Sequence, residues 1–128
     1  MKKSRSPQPT DAELSILQVL WAKGPSTVRT VWETLAPEQN VGYTTVLKLM
    51  QIMADKGLVN RDESARSHVY EAAFSQSRAQ RDVVRRVLDR VFGGSGPRLA
   101  MQALSSAKAT PQELAEIRKL LDQIERRK

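Results

Sequence analysis

Tyr43-Thr44-Thr45, with Lys48 and Gln51 behind them, is the run of side chains best suited to specific chemistry. Hydroxyls and backbone amides at the start of a helix bind phosphate, helped by the helix dipole. Lysine one turn on and glutamine beyond it can reach base edges in a nucleic-acid groove. Lysine favours guanine O6/N7 and glutamine favours adenine. Arg61, Arg66, Ser67 and His68 follow on a segment suited to phosphate or minor-groove contact, and Arg29 is a further phosphate candidate. Each residue also has a plainer reading. Lys48 and Gln51 fit a solvated helix face, and Arg66 fits a generic charge at a hairpin tip. The methyls of Thr44 or Thr45 can pack a helix start, and Tyr43 fits the core as well as it fits phosphate. His68 suits a surface strand better than a ligand role. Trp21 and Trp32, at helical spacing, read as core residues rather than a stacking platform.

Other chemistries find little support. The chain has no cysteine and one histidine, which excludes disulfides, thiolate nucleophiles and multi-histidine metal centres. No paired carboxylates share a face. Gly93-Gly94-Ser95-Gly96 lacks the Lys-Ser/Thr and the preceding strand of a phosphate-cradling loop, and reads as an interhelical hinge. No catalytic residue, metal or cofactor is therefore expected. No apolar run approaches the ~18 residues of a membrane span. The basic start Met1-Lys2-Lys3 has no apolar stretch behind it, so a cytoplasmic location is expected.

Charge sharpens the polyanion reading without deciding it. The 128 residues include 21 Lys+Arg and 14 Asp+Glu, a formal net charge of +7. Such a charge suits nucleic acid, and it also suits plain solubility. Its distribution is uneven: residues 1–74 hold 9 basic and 8 acidic side chains, whereas 75–128 hold 12 and 6. A DNA-binding first half must therefore act through placement rather than net charge.

The elements that position these residues follow from periodicity. Residues 1–9 read as a disordered tail. Thr10 to Lys23 reads as a helix, with Thr10 and Glu13 at capping-box spacing and Leu14, Leu17, Leu20 and Trp21 as its stripe. Ser26 to Leu35 reads as a second, shorter helix, with Ser26 or Thr27 as its cap and Val28, Val31, Trp32 and Leu35 on one face. Tyr43 to Lys56 reads as a third, stopped by Gly57, with Val46, Leu47, Met50 and Met53 inward and Leu49 and Ile52 broadening that face. Leu58 to Ala73 reads as a β-hairpin with its tip near Ser64 to Ser67 and one face wet. Further helices are expected over Phe74 to Phe92, Arg98 to Ala107, and from Thr110 onward, where Pro111 and Glu113 complete the start. Three short helices and a hairpin form a winged helix-turn-helix, whose later helix enters the major groove, about 12 Å wide. The fold expected is mainly α: a winged-helix domain over 10–74 and a three-helix region over 75–128.

An ordered set of segments carries a family resemblance. Leu14-Ser15-Ile16-Leu17-Gln18-Val19-Leu20-Trp21, Ser26-Thr27-Val28-Arg29-Thr30-Val31, Tyr43-Thr44-Thr45-Val46 and Lys56-Gly57-Leu58-Val59, then Arg66 and Tyr70, together resemble the BlaI/MecI/CopY family of penicillinase-type repressors. Phe92-Gly93-Gly94-Ser95 and the helix over 110–125 are also similar to it. The resemblance implies a homodimeric transcriptional repressor on a pseudo-palindromic operator of double-stranded DNA, controlling a β-lactamase or other stress-response gene. The helices after Phe74 fit a dimer: Val84, Val87, Leu88, Val91, Leu99, Leu104, Leu114, Ile117, Leu121 and Ile124 form stripes with little other chain to cover them. The chain departs from the family pattern in two places. Where well-known members are cut by an inducing protease at Asn-Phe, this chain has Gln102-Ala103 at the matching place, which argues against a protease of that specificity and leaves another inducing protease or other release signal open. It also lacks the C-terminal cysteine cluster of the copper-responsive branch. The rival expectation is a non-specific architectural DNA-binding protein using the basic second half.

Overall fold

The computed structural model describes residues 9–127. The tail expected over 1–9 falls outside them apart from Pro9. The chain is mainly helical, with one small sheet: α1 (Asp11–Lys23), β1 (Ser26–Thr27), α2 (Val28–Leu35), α3 (Tyr43–Lys56), β2 (Val59–Asp62), β3 (Val69–Ala72), α4 (Gln76–Arg90), α5 (Gly96–Ser106) and α6 (Pro111–Arg126). It divides into two compact units between Arg81 and Asp82, inside α4. Among the described residues no helix is long and apolar enough to cross a membrane.

The first unit is a winged helix. Thr10 caps α1: its hydroxyl accepts from the Glu13 N–H at 3.2 Å, and its own N–H donates to Glu13 Oε1 at 2.8 Å. Ile16, Leu17, Leu20, Val31, Val46, Met50, Met53, Leu58 and Tyr70 form the core, each 2% exposed or less. Removing such side chains from water is the main term holding α1, α2 and α3 together. Leu49 packs beside this core, whereas Ile52, expected to broaden the buried face, is exposed.

Two features differ from the sequence expectation. Ser26 and Thr27 do not open α2 as helical residues. They form β1, paired antiparallel with β3 in the register Ser26↔Tyr70 and Thr27↔Val69. The expected hairpin is thus a three-stranded sheet of order β1-β3-β2. The third strand answers the weakness of an isolated hairpin. Thr27 still caps α2, its hydroxyl accepting from the Thr30 N–H at 3.2 Å. The second difference is at α4, which starts at Gln76 and ends at Arg90, because Ser75 caps the Arg78 N–H at 3.1 Å and Gly93-Gly94 turn the chain. Both tryptophans are half-buried against the core. Each indole N–H finds a carbonyl at 3.0 Å, Trp21 on Phe74 and Trp32 on Val41.

The second unit has caps but no closed core of its own. Ser95 accepts from the Arg98 N–H at 3.2 Å, and α5 begins at Gly96, within the stretch expected to break the helix. Thr110 and Glu113 form a reciprocal capping box at 2.9 and 3.0 Å. No described residue from Asp82 onward is buried. Val84, Val91, Leu104, Leu114, Leu121 and Ile124 are exposed, while Val87, Leu88, Leu99 and Ile117 are half-buried.

Candidate nucleic-acid interface

α3 turns two faces to two environments. Val46, Met50 and Met53 are fully buried. Thr44, Thr45, Lys48, Gln51, Ile52 and Asp55 are exposed, on the opposite side at about 100° per residue. Gly57 ends the helix in the left-handed region, with φ 82°, its N–H bonding back to Ala54 and Met53 carbonyls. The start of α3 is open. Gly42 provides no side-chain cap, whereas α1, α2, α5 and α6 each begin under a Ser or Thr oxygen. The amides of Tyr43, Thr44 and Thr45 therefore lack an intrahelical partner and point out at the positive end of the dipole.

Arg29, Tyr43 and Trp32 come together beside that open start. The Tyr43 ring stands edge-on to Trp32 at 5.9 Å and 84°, and the Arg29 guanidinium lies 5.9 Å from the Tyr43 ring centroid. Tyr43 is 40% exposed, so it is neither core nor free surface. Arg29 also faces Glu33 at 3.7 Å, a solvent-exposed pair that a phosphate could displace at little cost. The Trp32 bond to Val41 pins the loop between α2 and α3. The helical spacing of Trp32 pointed to the core and missed this positioning role. The indole N–H was the available signal, since a buried one must find an acceptor.

The remaining expected site residues stand on the wing. Residues 60–68 are all exposed. Asp62 accepts from the Ser64 N–H at 2.9 Å, which tightens the turn. The Ser64 hydroxyl and N–H hold the Asp62 carboxyl below the usual range. Arg61 pairs with Glu63 at 2.7 Å. The Tyr70 hydroxyl, with Glu63, also holds its charge more firmly than usual. Arg66, Ser67 and His68 are exposed at and beyond the tip. Among the described residues, Lys48 and Arg66 form no ion pair. No hydrogen bond, ion pair or ring contact there joins the wing group to the Arg29–Tyr43 group.

One buried charge pair frames α3 from its other end. Glu13 is 2% exposed, and Lys56 Nζ donates to both its oxygens at 2.8 and 3.0 Å. Burial pushes this carboxyl up. The Lys56 ammonium and the Thr10 donors outweigh it, leaving the carboxyl below the usual range. The capping box was legible in sequence, but its second use as the anchor of α3 was not.

Comparison with known proteins decides the family. The penicillinase repressor family pattern matches residues 9–123. The chain belongs to the penicillinase repressor family. Members of this family are repressors rather than enzymes. This repressor-family chain is similar to the transcriptional regulator BlaI of Mycobacterium tuberculosis (strain ATCC 25618 / H37Rv), with 38% identity over 61 residues. That match covers 47% of this chain and 44% of the relative, so it spans under half the relative's length. Against the penicillinase repressor of Bacillus licheniformis it is 22% identical over 122 residues, 95% of each. Its fold is like the solution structure of the DNA-binding domain of the repressor BlaI, with TM-score 0.51 and 24% identity, over 59% of this chain and 92% of that one. It is also like the solution structure of the Bacillus licheniformis BlaI monomeric form in complex with the blaP half-operator. There the TM-score is 0.50 and the identity 25%, over 57% and 89%.

Proposed function

We propose that this chain is a sequence-specific transcriptional repressor that binds an inverted-repeat operator as a homodimer in the cytoplasm. The open, uncapped start of α3, with Thr44, Thr45, Lys48 and Gln51 exposed behind it, carries this reading. α3 enters the major groove with Lys48 and Gln51 at base edges. The α3 amides, Tyr43, Thr44 and Arg29 hold phosphates, and Arg61, Arg66, Ser67 and His68 hold the backbone beside the wing. A repressor-family pattern over most of the chain, and a structural relative solved on a half-operator, support the same reading. The exposed stripes of α5 and α6 support the dimer, which places two copies of α3 about one helical turn apart or a small multiple of it. Repression then follows from occupancy of a promoter.

Release of the repressor is a separate step. Gln102-Ala103 lies inside α5, whose backbone is helical there. A protease specific for Asn-Phe finds neither side chain, so we place the release signal elsewhere.

The basic excess over 75–128 favours a second reading, an architectural protein without sequence preference. Competition separates the two. At near-physiological salt a repressor prefers its selected duplex over random duplex by at least ~10³-fold. A preference below tenfold supports the architectural reading.

A further inference from the structure

Ile52 is the one large apolar side chain on the outward side of α3, where it is 39% exposed. Single exposed apolar residues are ordinary on protein surfaces, so exposure alone explains nothing. Its position does. Ile52 follows Thr45 by seven residues and Lys48 by four, so the three share one side of the helix, away from buried Val46, Met50 and Met53. Asp55, the next exposed position on α3, is anionic and is repelled by phosphate, so the DNA-facing run ends at Ile52.

We infer that Ile52 is a specificity-determining residue that reads the C5-methyl of a thymine. This rests on α3 being the recognition helix. The thymine methyl is the apolar group that base pairs present in the major groove, and it is the natural partner of an aliphatic side chain there. At 1.5 Å per residue, Ile52 lies about 6 Å beyond Lys48 along the axis. Because a recognition helix follows the groove rather than the duplex axis, positions about one turn apart meet bases about one to two steps apart. The half-site therefore carries a thymine about one to two base pairs from the guanine that Lys48 reads.

Deoxyuridine substitution tests this, because it removes the methyl and nothing else. Each thymidine of a duplex selected from a random library is replaced singly, and binding is measured for the full chain, Ile52→Ala and Ile52→Val. We expect one thymine per half-site whose replacement weakens the full chain about fourfold, the ~0.8 kcal/mol of one buried methyl. The same replacement leaves Ile52→Ala unchanged, and Ile52→Val keeps most of the effect. Equal losses in the full chain and Ile52→Ala at every thymine overturn the inference and leave the repressor reading intact. Recovery of no motif overturns both. Should Ile52→Ala fail to fold, Ile52→Ser gives the same comparison, since serine carries no methyl group to meet the thymine.

Discussion

Lys48 has nothing within the described chain to neutralise it, and it stands midway along the exposed side of α3. Lys48→Ala should lower discrimination between operator and random duplex by ~1–3 kcal/mol. Competition titration at fixed salt checks this, and an unchanged ratio removes Lys48 from the base-reading set. Glu13 is a residue of stability instead. Its carboxyl is held below the usual range when folded, so its contribution is complete above the unfolded value near 4.3 and is lost as pH falls further. Glu13→Gln should cost about 1–2 kcal/mol at pH 7, where Lys56 loses its counter-charge. That difference should shrink as pH drops below about 4. Denaturant midpoints across this range measure it, and a pH-independent difference contradicts the pairing. At this scale the sequence showed residue types more clearly than partners. That Lys48 and Gln51 stand off the buried stripe of α3 was readable from spacing alone. The Glu13–Lys56 bond, 43 positions apart, was not, because only folding brings the two together.

Helix α3 owes its end to Gly57, whose φ of 82° is one that other residues adopt at a cost. No atom lies within 4 Å of the place a Cβ would occupy there, so the cost of a side chain is conformational rather than steric. Gly57→Ala should therefore destabilise the fold by about 1 kcal/mol. Thermal unfolding measures it, and a neutral substitution contradicts the left-handed cap. The bounds of α3 and the capping boxes of α1 and α6 were legible because each carries local chemistry at fixed spacing. The strand β1 was not legible. Two residues are too few to show alternation, and their pairing with Tyr70 and Val69 is a long-range fact. Tyr70 shows the same limit: alternation marked one wet face and one dry face, and only the packing against α1 put Tyr70 on the dry one.

The molecule as a whole leaves an imbalance between its units. The first closes a core of its own, while the second buries no described residue and exposes Leu114, Leu120, Leu121 and Ile124 along α6. Such a stripe is stable when a second copy covers it. Leu121→Glu should yield monomers in sedimentation equilibrium and weaken operator binding by on the order of 10²-fold, the loss of bivalency. A variant that stays dimeric moves the interface off α6. The most direct test of the central claim is selection of bound duplexes from a random library at near-physiological salt. A specific dimeric repressor returns an inverted repeat, its half-sites separated by about one helical turn or a small multiple. Uniform recovery, or a single unrepeated half-site, contradicts the account.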